Sequence, residues 1–513
     1  MAVTKKIFVD TLGGTSAGSY IGVPGELFYD SSNGVLRLSN GEDAGGIVVG
    51  AGGGDSVPAA FGPTISLGTG AASGGQGTKS VAIGYNSGQE QGDHAVAVGD
   101  MAGNSNQSDS AVAIGEKAGS ENQQWGSVAI GPKAGKRGRS SSNGDETIAI
   151  GFKAGENEQR YHAIAIGAEA GQDDQDWDAI AIGRAAGNYQ QQHQAVAIGQ
   201  RAGNDSQEYG AVAVGAYAGN SNQGEHAVAI GDHAGNDSQH YGAVAVGQYA
   251  GWQNQNTHAV AIGDNAGYSD QGINGVAIGQ NAGNSNQGEH TVAIGRSAGE
   301  TNQDENGVAI GRWAGRDNQG SEAVAIGRHS GQNNQGDGSI AIGNEAGQED
   351  QGAETIAIGR DAGFTGQRYH AIAIGAEAGD ENQSYAAVAI GRTAGYYHQG
   401  TNGIAIGSRA AEYSQSAQGI AIGTYAGQTN QGQHAIAIGY GAGESNQYDN
   451  SIVLNATGDE VNPDNPDSFT VTPVRTVVAL DADFADFTHL CFYNPATGEI
   501  AKISVADAMT KFI

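Results

Sequence analysis

The sequence predicts an all-β fold, a parallel β-roll or β-solenoid built from sixteen-residue coils, on three observations. The motif [V/I]-A-[V/I]-G occurs twenty-three times between Val81 and Ile436, and sixteen residues separate successive copies except after the first coil, one residue short, and the coil at Val128, four residues long. Within the motif, β-branched residues alternate with alanine at the period of a pleated strand. The 513 residues include 87 glycines and only 38% hydrophobic residues, too few for a thick globular core. With 8 prolines and a period of sixteen, the chain is neither collagen-like nor unpatterned glycine-rich disorder. Order must therefore come from stacking one coil on the next.

Residues 1–80 lack the repeat and form a first region. The stretch "GELFYDSSNGVLRLSNG" at 25–41 reads as a β-hairpin, two alternating segments about Asn33-Gly34, and the glycine-rich tract at 50–63 reads as a linker.

Residues 81–456 form the repeat region of about 24 coils, the last being the degenerate "IVLN" at Ile452. Numbering each coil from its first Val or Ile, positions 1–3 predict one strand. Positions 7 and 8, usually Ala-Gly, suggest a second, with turns supplied by the Asn, Asp, Ser, Gln and Gly between them. Each coil would hydrogen-bond to the next at about 4.8 Å. Position 12 is Gln from Gln107 to Gln447 with few exceptions. Gln223, Gln239, Gln255, Gln271 and Gln287 are expected to form an amide ladder along a turn, each side chain bonding its neighbours above and below. Residues 457–513 lose the period. "SFTVTPVRTVVALD" and "HLCFYNPATGEIAKIS" read as strands, the second a hairpin, and "VADAMTKF" as a short closing helix, together a cap or tip for the exposed end of the stack.

A two-stranded coil is too thin to hide both faces of a strand carrying Val or Ile on one side and Ala on the other. The expectation is that Ala at positions 2 and 7 fills the interior, while positions 1 and 3 meet the same columns of sister chains. Val228, Ile230, Val244, Val246, Val260, Ile262, Val276 and Ile278 sample that interface. The opposite assignment, with the large residues inside and alanine outside, leaves a flat face equally suited to association.

The "AVAIGxxAG" coils resemble the head repeat of trimeric autotransporter adhesins of the YadA type, although that family's unit is commonly shorter and its members carry a secretion signal and a membrane anchor. The resemblance implies a left-handed parallel β-roll and a homotrimer. The "GxPGELxYD"-like stretch near residue 25 resembles N-terminal, virion-attachment regions of phage tail fibres, and the C-terminal region is similar to segments that close the β-roll shafts of such fibres. Together these resemblances imply a homotrimeric bacteriophage tail fibre located in the virion tail and assembled in the host cytoplasm. Its partners would be other phage tail or baseplate proteins, through residues 1–80, and a host cell-surface glycan or protein receptor. A bacterial surface adhesin and a glycan-depolymerising tailspike are the alternatives.

The remaining features narrow the function classes. A formal charge of −31 repels polyanions, so nucleic acid is not an expected partner. The opening "MAVTKKIFVDTLGG" has no apolar stretch of signal-peptide length, and no segment approaches the roughly eighteen apolar residues that span a bilayer. The single cysteine, Cys491, excludes an internal disulfide framework. Histidine recurs at position 15, at His162, His226, His258, His290, His370 and His434, where it reads as a polar turn residue. Aromatic residues favour position 14, and Tyr209, Tyr241, Tyr369 and Tyr385 are candidate glycan contacts; others, such as Tyr217, Tyr249, Trp313 and Tyr425, fall at position 6. Lys133, Lys136, Arg137 and Arg139 gather in the one long coil, read as a bulging loop able to dock another virion protein or an anionic glycan. The carboxylates, as at Asp173, Asp174 and Asp176, are too dispersed over turns to indicate catalysis, and no catalytic residue, metal or cofactor is expected.

Overall fold

The computed structural model describes residue 24 and residues 27–30, 35–39, 41–42, 47–48, 64–137, 144–474, 489–494 and 499–504. Backbone contacts divide the chain into two units, Met1–Ala357 and Ile358–Ile513.

In the first unit, three-residue strands at positions 1–3 stack in parallel, coil upon coil, from Ile65–Leu67 to Ile340–Ile342. The register is exact throughout: Val228 lies opposite Val244, Ala229 opposite Ala245 and Ile230 opposite Val246. We call this the front sheet. A second, back sheet of thirteen parallel strands runs from Asn157–Gln159 to Glu349–Gln351. Ahead of it, the back of the stack is held by single bridges such as Gln91↔Gln107 and Glu121↔Arg137. The stack begins one coil before Val81, because Ile65–Leu67 pairs with Val81–Ile83 although its "ISL" replaces the motif's alanine with Ser66. This unit also holds an antiparallel sheet in which Leu27–Asp30 pairs with Val35–Leu38, and Val35–Leu38 with Ile47–Val48. The pairing is that of the expected hairpin; its Asn33-Gly34 turn and the 50–63 tract lie outside the described residues.

The second unit repeats the plan. Its front strands run from Ile372–Ile374 to Ile452–Asn455, and Phe469–Thr472 adds one more parallel strand past residue 456. Its back sheet comprises Tyr397–Gln399, Tyr413–Gln415 and Thr429–Gln431. Asn455 stands where earlier coils have glycine, and its carboxamide ties this end together. Nδ2 donates to the carbonyls of Tyr440 (2.6 Å) and Asp459 (2.7 Å), while Oδ1 accepts from the Thr457 and Thr472 hydroxyls. His489–Asn494 pairs antiparallel with Glu499–Ser504, as the second C-terminal hairpin requires. The expected closing helix at 505–512 lies outside the described residues.

The second strand of each coil is not where the Ala-Gly pair suggested. It occupies positions 10–12 and ends on the glutamine, as in Asp237–Gln239, whereas Ala234-Gly235 lies in the turn between the sheets. Gly235 has φ +51, in the left-handed region, and the chain turns there between Ile230 and Asp237. Left-handed backbone recurs at positions 4, 6, 8, 11 and 15; in the coil from Val244 these are Gly247, Tyr249, Gly251, Asn254 and His258. The runs of Asn, Ser, Asp and His at positions 11 and 15 follow from this, since short polar side chains tolerate that region best among non-glycine residues.

The interior is alanine and glutamine. Ala227, Ala229 and Ala234 are fully buried, and the same columns recur coil after coil. That burial excludes the inward placement of Val and Ile.

Candidate association and contact surfaces

Glutamine at position 12 points into the coil rather than lying along a turn, correcting its expected location. Gln239 Nε2 lies 2.9 Å from the Val228 carbonyl and 3.2 Å from that of Ala243, both in its own coil, and 3.0 Å from Gln255 Oε1 in the next. One side chain thus closes its own coil and joins it to its neighbour. The amide ladder runs through Gln223, Gln239, Gln255 and Gln271 at 3.0–3.2 Å. It pauses between Gln271 and Gln287, whose Oε1 is buried without a hydrogen-bond partner, and resumes from Gln287 to Gln303 at 3.2 Å. Glutamine suits the task because its arm spans a thin coil and its amide both donates and accepts. Burying it without partners would cost a few kcal/mol per group.

The front sheet turns its Val and Ile outward. Ile230 is 41% exposed and Ile262 38%; Val228, Val244, Val246, Val260, Val276 and Ile278 are half-buried. The pattern continues in the second unit, where Ile422 and Ile438 are exposed. Within each unit, such an unbroken branched-aliphatic stripe marks an association face. Positions 1 and 3 alternate with inward alanine, so every coil adds two side chains to the stripe.

Position 14 is also exposed: Tyr209, Tyr241, Tyr369 and Tyr385 all project, Tyr369 at 59% exposure. Three of these rings meet a position-15 histidine of an adjacent coil edge-on: Tyr209 and Tyr241 that of the following coil, His226 and His258, with centroids 5.1 and 5.3 Å apart, and Tyr385 that of the preceding coil, His370, at 5.3 Å. Their partners are therefore within the stack, and their outer edges are open. The histidines occupy left-handed turn positions beside carboxylates in places, as where His162 lies 3.1 Å from Asp178 and 3.5 Å from Glu146. Among the described residues no three His, Cys, Asp or Glu side chains are grouped to hold a metal ion.

The basic cluster of the long coil is partly absorbed by the stack. Arg137 bridges Glu121 and Asn157 through its backbone and approaches the Glu121 carboxylate at 3.7 Å, while Lys136 lies 3.9 Å from Glu156. Lys133 keeps the left-handed position 6, so the additional residues fall after Arg137; Arg139 lies outside the described residues.

Two features escaped the sequence reading. Trp313 is clasped by Arg296 and Arg312, whose guanidinium carbons lie 4.8 and 4.5 Å from its ring. Trp252 and Tyr268, at position 9 of successive coils, stack with centroids 4.8 Å apart. The available signal was substitution within a column, since position 9 is commonly Asn, Gln or an acid. No helix among the described residues is long and apolar enough to cross a membrane. A scan against protein-family models, a search of curated proteins and a search of solved structures each find no match to this chain, so the geometry alone establishes a parallel β-solenoid of sixteen-residue coils.

Proposed function

We propose that this chain is a bacteriophage tail fibre, in which three copies bind through the front-sheet stripe to make a shaft that adheres to the host surface. The observation that carries the proposal is the outward column of half-exposed Val and Ile, in constant register from coil to coil. A second copy of the same chain fits it coil for coil, because both surfaces advance by the same strand spacing of about 4.8 Å. The remaining surface, in a chain of net charge −31, favours separation except where apolar area compensates. With about 1.5–3 kcal/mol for fully burying one Val or Ile, covering the half already open in each is worth about 1 kcal/mol per side chain. Repeated over many coils, that is enough to hold an assembly. The mechanism is adhesive rather than catalytic: length gives reach, and three copies of a weak receptor contact multiply into avidity. The resemblance of the coils to trimeric adhesin heads, and of both terminal regions to fibre segments, supports the same reading.

Native mass measurement and sedimentation of the full chain test the assembly, and threefold mass is expected. A folded monomer in dilute buffer overturns the proposal. Cryo-EM of virions carrying the protein tests its location, with three chains per fibre as the expected image.

A further inference from the structure

Position 9 carries a recurring, half-buried side-chain bond between coils of the first unit. Asn188, Asn204, Asn236 and Asn284 each donate Nδ2–H to the backbone carbonyl at position 6 of the preceding coil, those of Glu169, Ala185, Tyr217 and Asn265, at 2.7, 2.9, 3.1 and 3.1 Å. Trp252 and Tyr268 interrupt this column in two successive coils. The carbonyls of His233 and Tyr249 therefore lack the side-chain donor that their counterparts have. In place of the amides stands an aromatic wall. Trp252 and Tyr268 are stacked at 20°, and position 6 beside them carries a second ring column, Tyr217, His233 and Tyr249, with centroids 4.8 and 5.0 Å apart. Tyr249 and Tyr268 join the two columns at 6.3 Å.

Between the columns lies an open cleft of about 510 Å³ lined by His233, Tyr249, Trp252, Asn265, Tyr268 and Asn284. That volume is within the usual range of small-molecule sites. The lining contains no Asp, Glu, Lys or Arg, although the chain as a whole is strongly acidic. Among the described residues the Asn265 carboxamide makes no hydrogen bond, and the Asn284 amide anchors to the Asn265 backbone at the rim.

We propose that this cleft binds an uncharged saccharide. A pyranose presents C–H faces and edges to aromatic rings and hydroxyl groups to amides and carbonyls, and the cleft offers both surfaces side by side. A charged ligand would meet only the His233 imidazole, which already lies 2.9 Å from the Asp232 carboxylate, and a purely apolar segment would desolvate Asn265 and the two carbonyls without return. The rings are held rigid by stacking within the solenoid, so binding costs little side-chain ordering. The inference rests on the adhesive reading above and gives it a ligand class.

Saturation-transfer NMR on the full chain tests it, with maltohexaose, cellohexaose and chitohexaose as neutral probes and a chondroitin hexasaccharide as the anionic one. Transfer to at least one neutral probe is expected, with weakening of at least tenfold in W252N/Y268N. This double variant restores the ordinary asparagine column, so its melting temperature should stay within a few degrees of the parent's. Should it fail to fold, Asn265→Ala serves instead, since Ala185 occupies the same left-handed position in another coil; a loss of at least threefold is expected. Silence from all neutral probes, transfer to the anionic probe alone, or binding that survives these variants overturns the proposal. Mass measured on the same sample separates the two readings: a silent cleft on a trimer sinks the site alone, and a binding cleft on a monomer sinks the fibre alone.

Discussion

Gly235 and Gln239 share one space: a Cβ on Gly235 would lie 2.7 Å from Gln239 Oε1 and 3.2 Å from the Ala229 methyl. The glycine at position 8 is therefore the void into which the glutamine at position 12 folds. Gly235→Ala is expected to cost about 1–2 kcal/mol, from crowding and from a side chain at φ +51. It should still fold, because Ala411 fills the same position while Gln415 keeps its bonds to Ile404, Gly419 and Gln431. Gln239→Ala, which opens a cavity and removes a donor from two carbonyls, should cost about 2–4 kcal/mol. Hydrogen exchange of the amides around Val228 and Val244 measures both, with the opening confined to neighbouring coils.

Position 4 is less forgiving. A Cβ on Gly231 would stand 2.5 Å from the Gly247 carbonyl oxygen, and its φ is +130. Backbone cannot yield as a flexible side chain does, so Gly231→Ala is expected to exceed about 3 kcal/mol and to break the stack locally. Limited proteolysis should cut the variant near residue 231 under conditions that leave the parent intact.

The stripe predicts a separation of assembly from fold. Ile230→Lys, Ile262→Lys and Ile294→Lys together place three charges on the outward face without touching the alanine interior. Sedimentation velocity should show the proposed trimer reduced to monomer, while a single Asn222→Lys on the exposed back strand leaves it whole. Loss of strand signal in circular dichroism along with the mass would show that the coils cannot stand alone.

Asp380 predicts an inverted acid response. Burial pushes its carboxyl up to about 6 against a hydrogen bond with Tyr396, and the carboxylates of Asp361, Glu381 and Glu377 push the same way as burial. Because the folded value lies above the unfolded one, the folded state holds the proton longer. The associated stability is complete below pH 4 and is lost as pH rises through 6. Asp380→Asn should therefore stabilise the second unit at pH 7.5 by roughly 1 kcal/mol, allowing for solvent screening, and change nothing at pH 4. Thermal unfolding at the two pH values decides it.

The front strand was plain in the sequence because Val-Ala-Ile carries its own alternation. The back strand was not: Asp237-Ser238-Gln239 has no β-branched residue, and its middle member takes φ +58, so nothing in composition distinguishes it from a turn. Repetition exposed the glutamine ladder, but the bonds from Gln239 to Val228 and Ala243 could not be foreseen, since their acceptors are backbone and carry no letter. Among the surface aromatics, Tyr209 and Tyr241 stood out by recurrence. Trp252 and Tyr268 had the weaker signal of an exception, and only the geometry shows that their rings displace an amide donor and border a cleft.

The alanine and glutamine interior has a consequence for how such a chain changes over generations. Since each coil offers its neighbours the same small methyls and the same amide, a duplication or deletion of sixteen codons meets no new packing problem. The length of a stack then changes in single steps of about 4.8 Å, while the aromatic exceptions travel with whichever coil is copied.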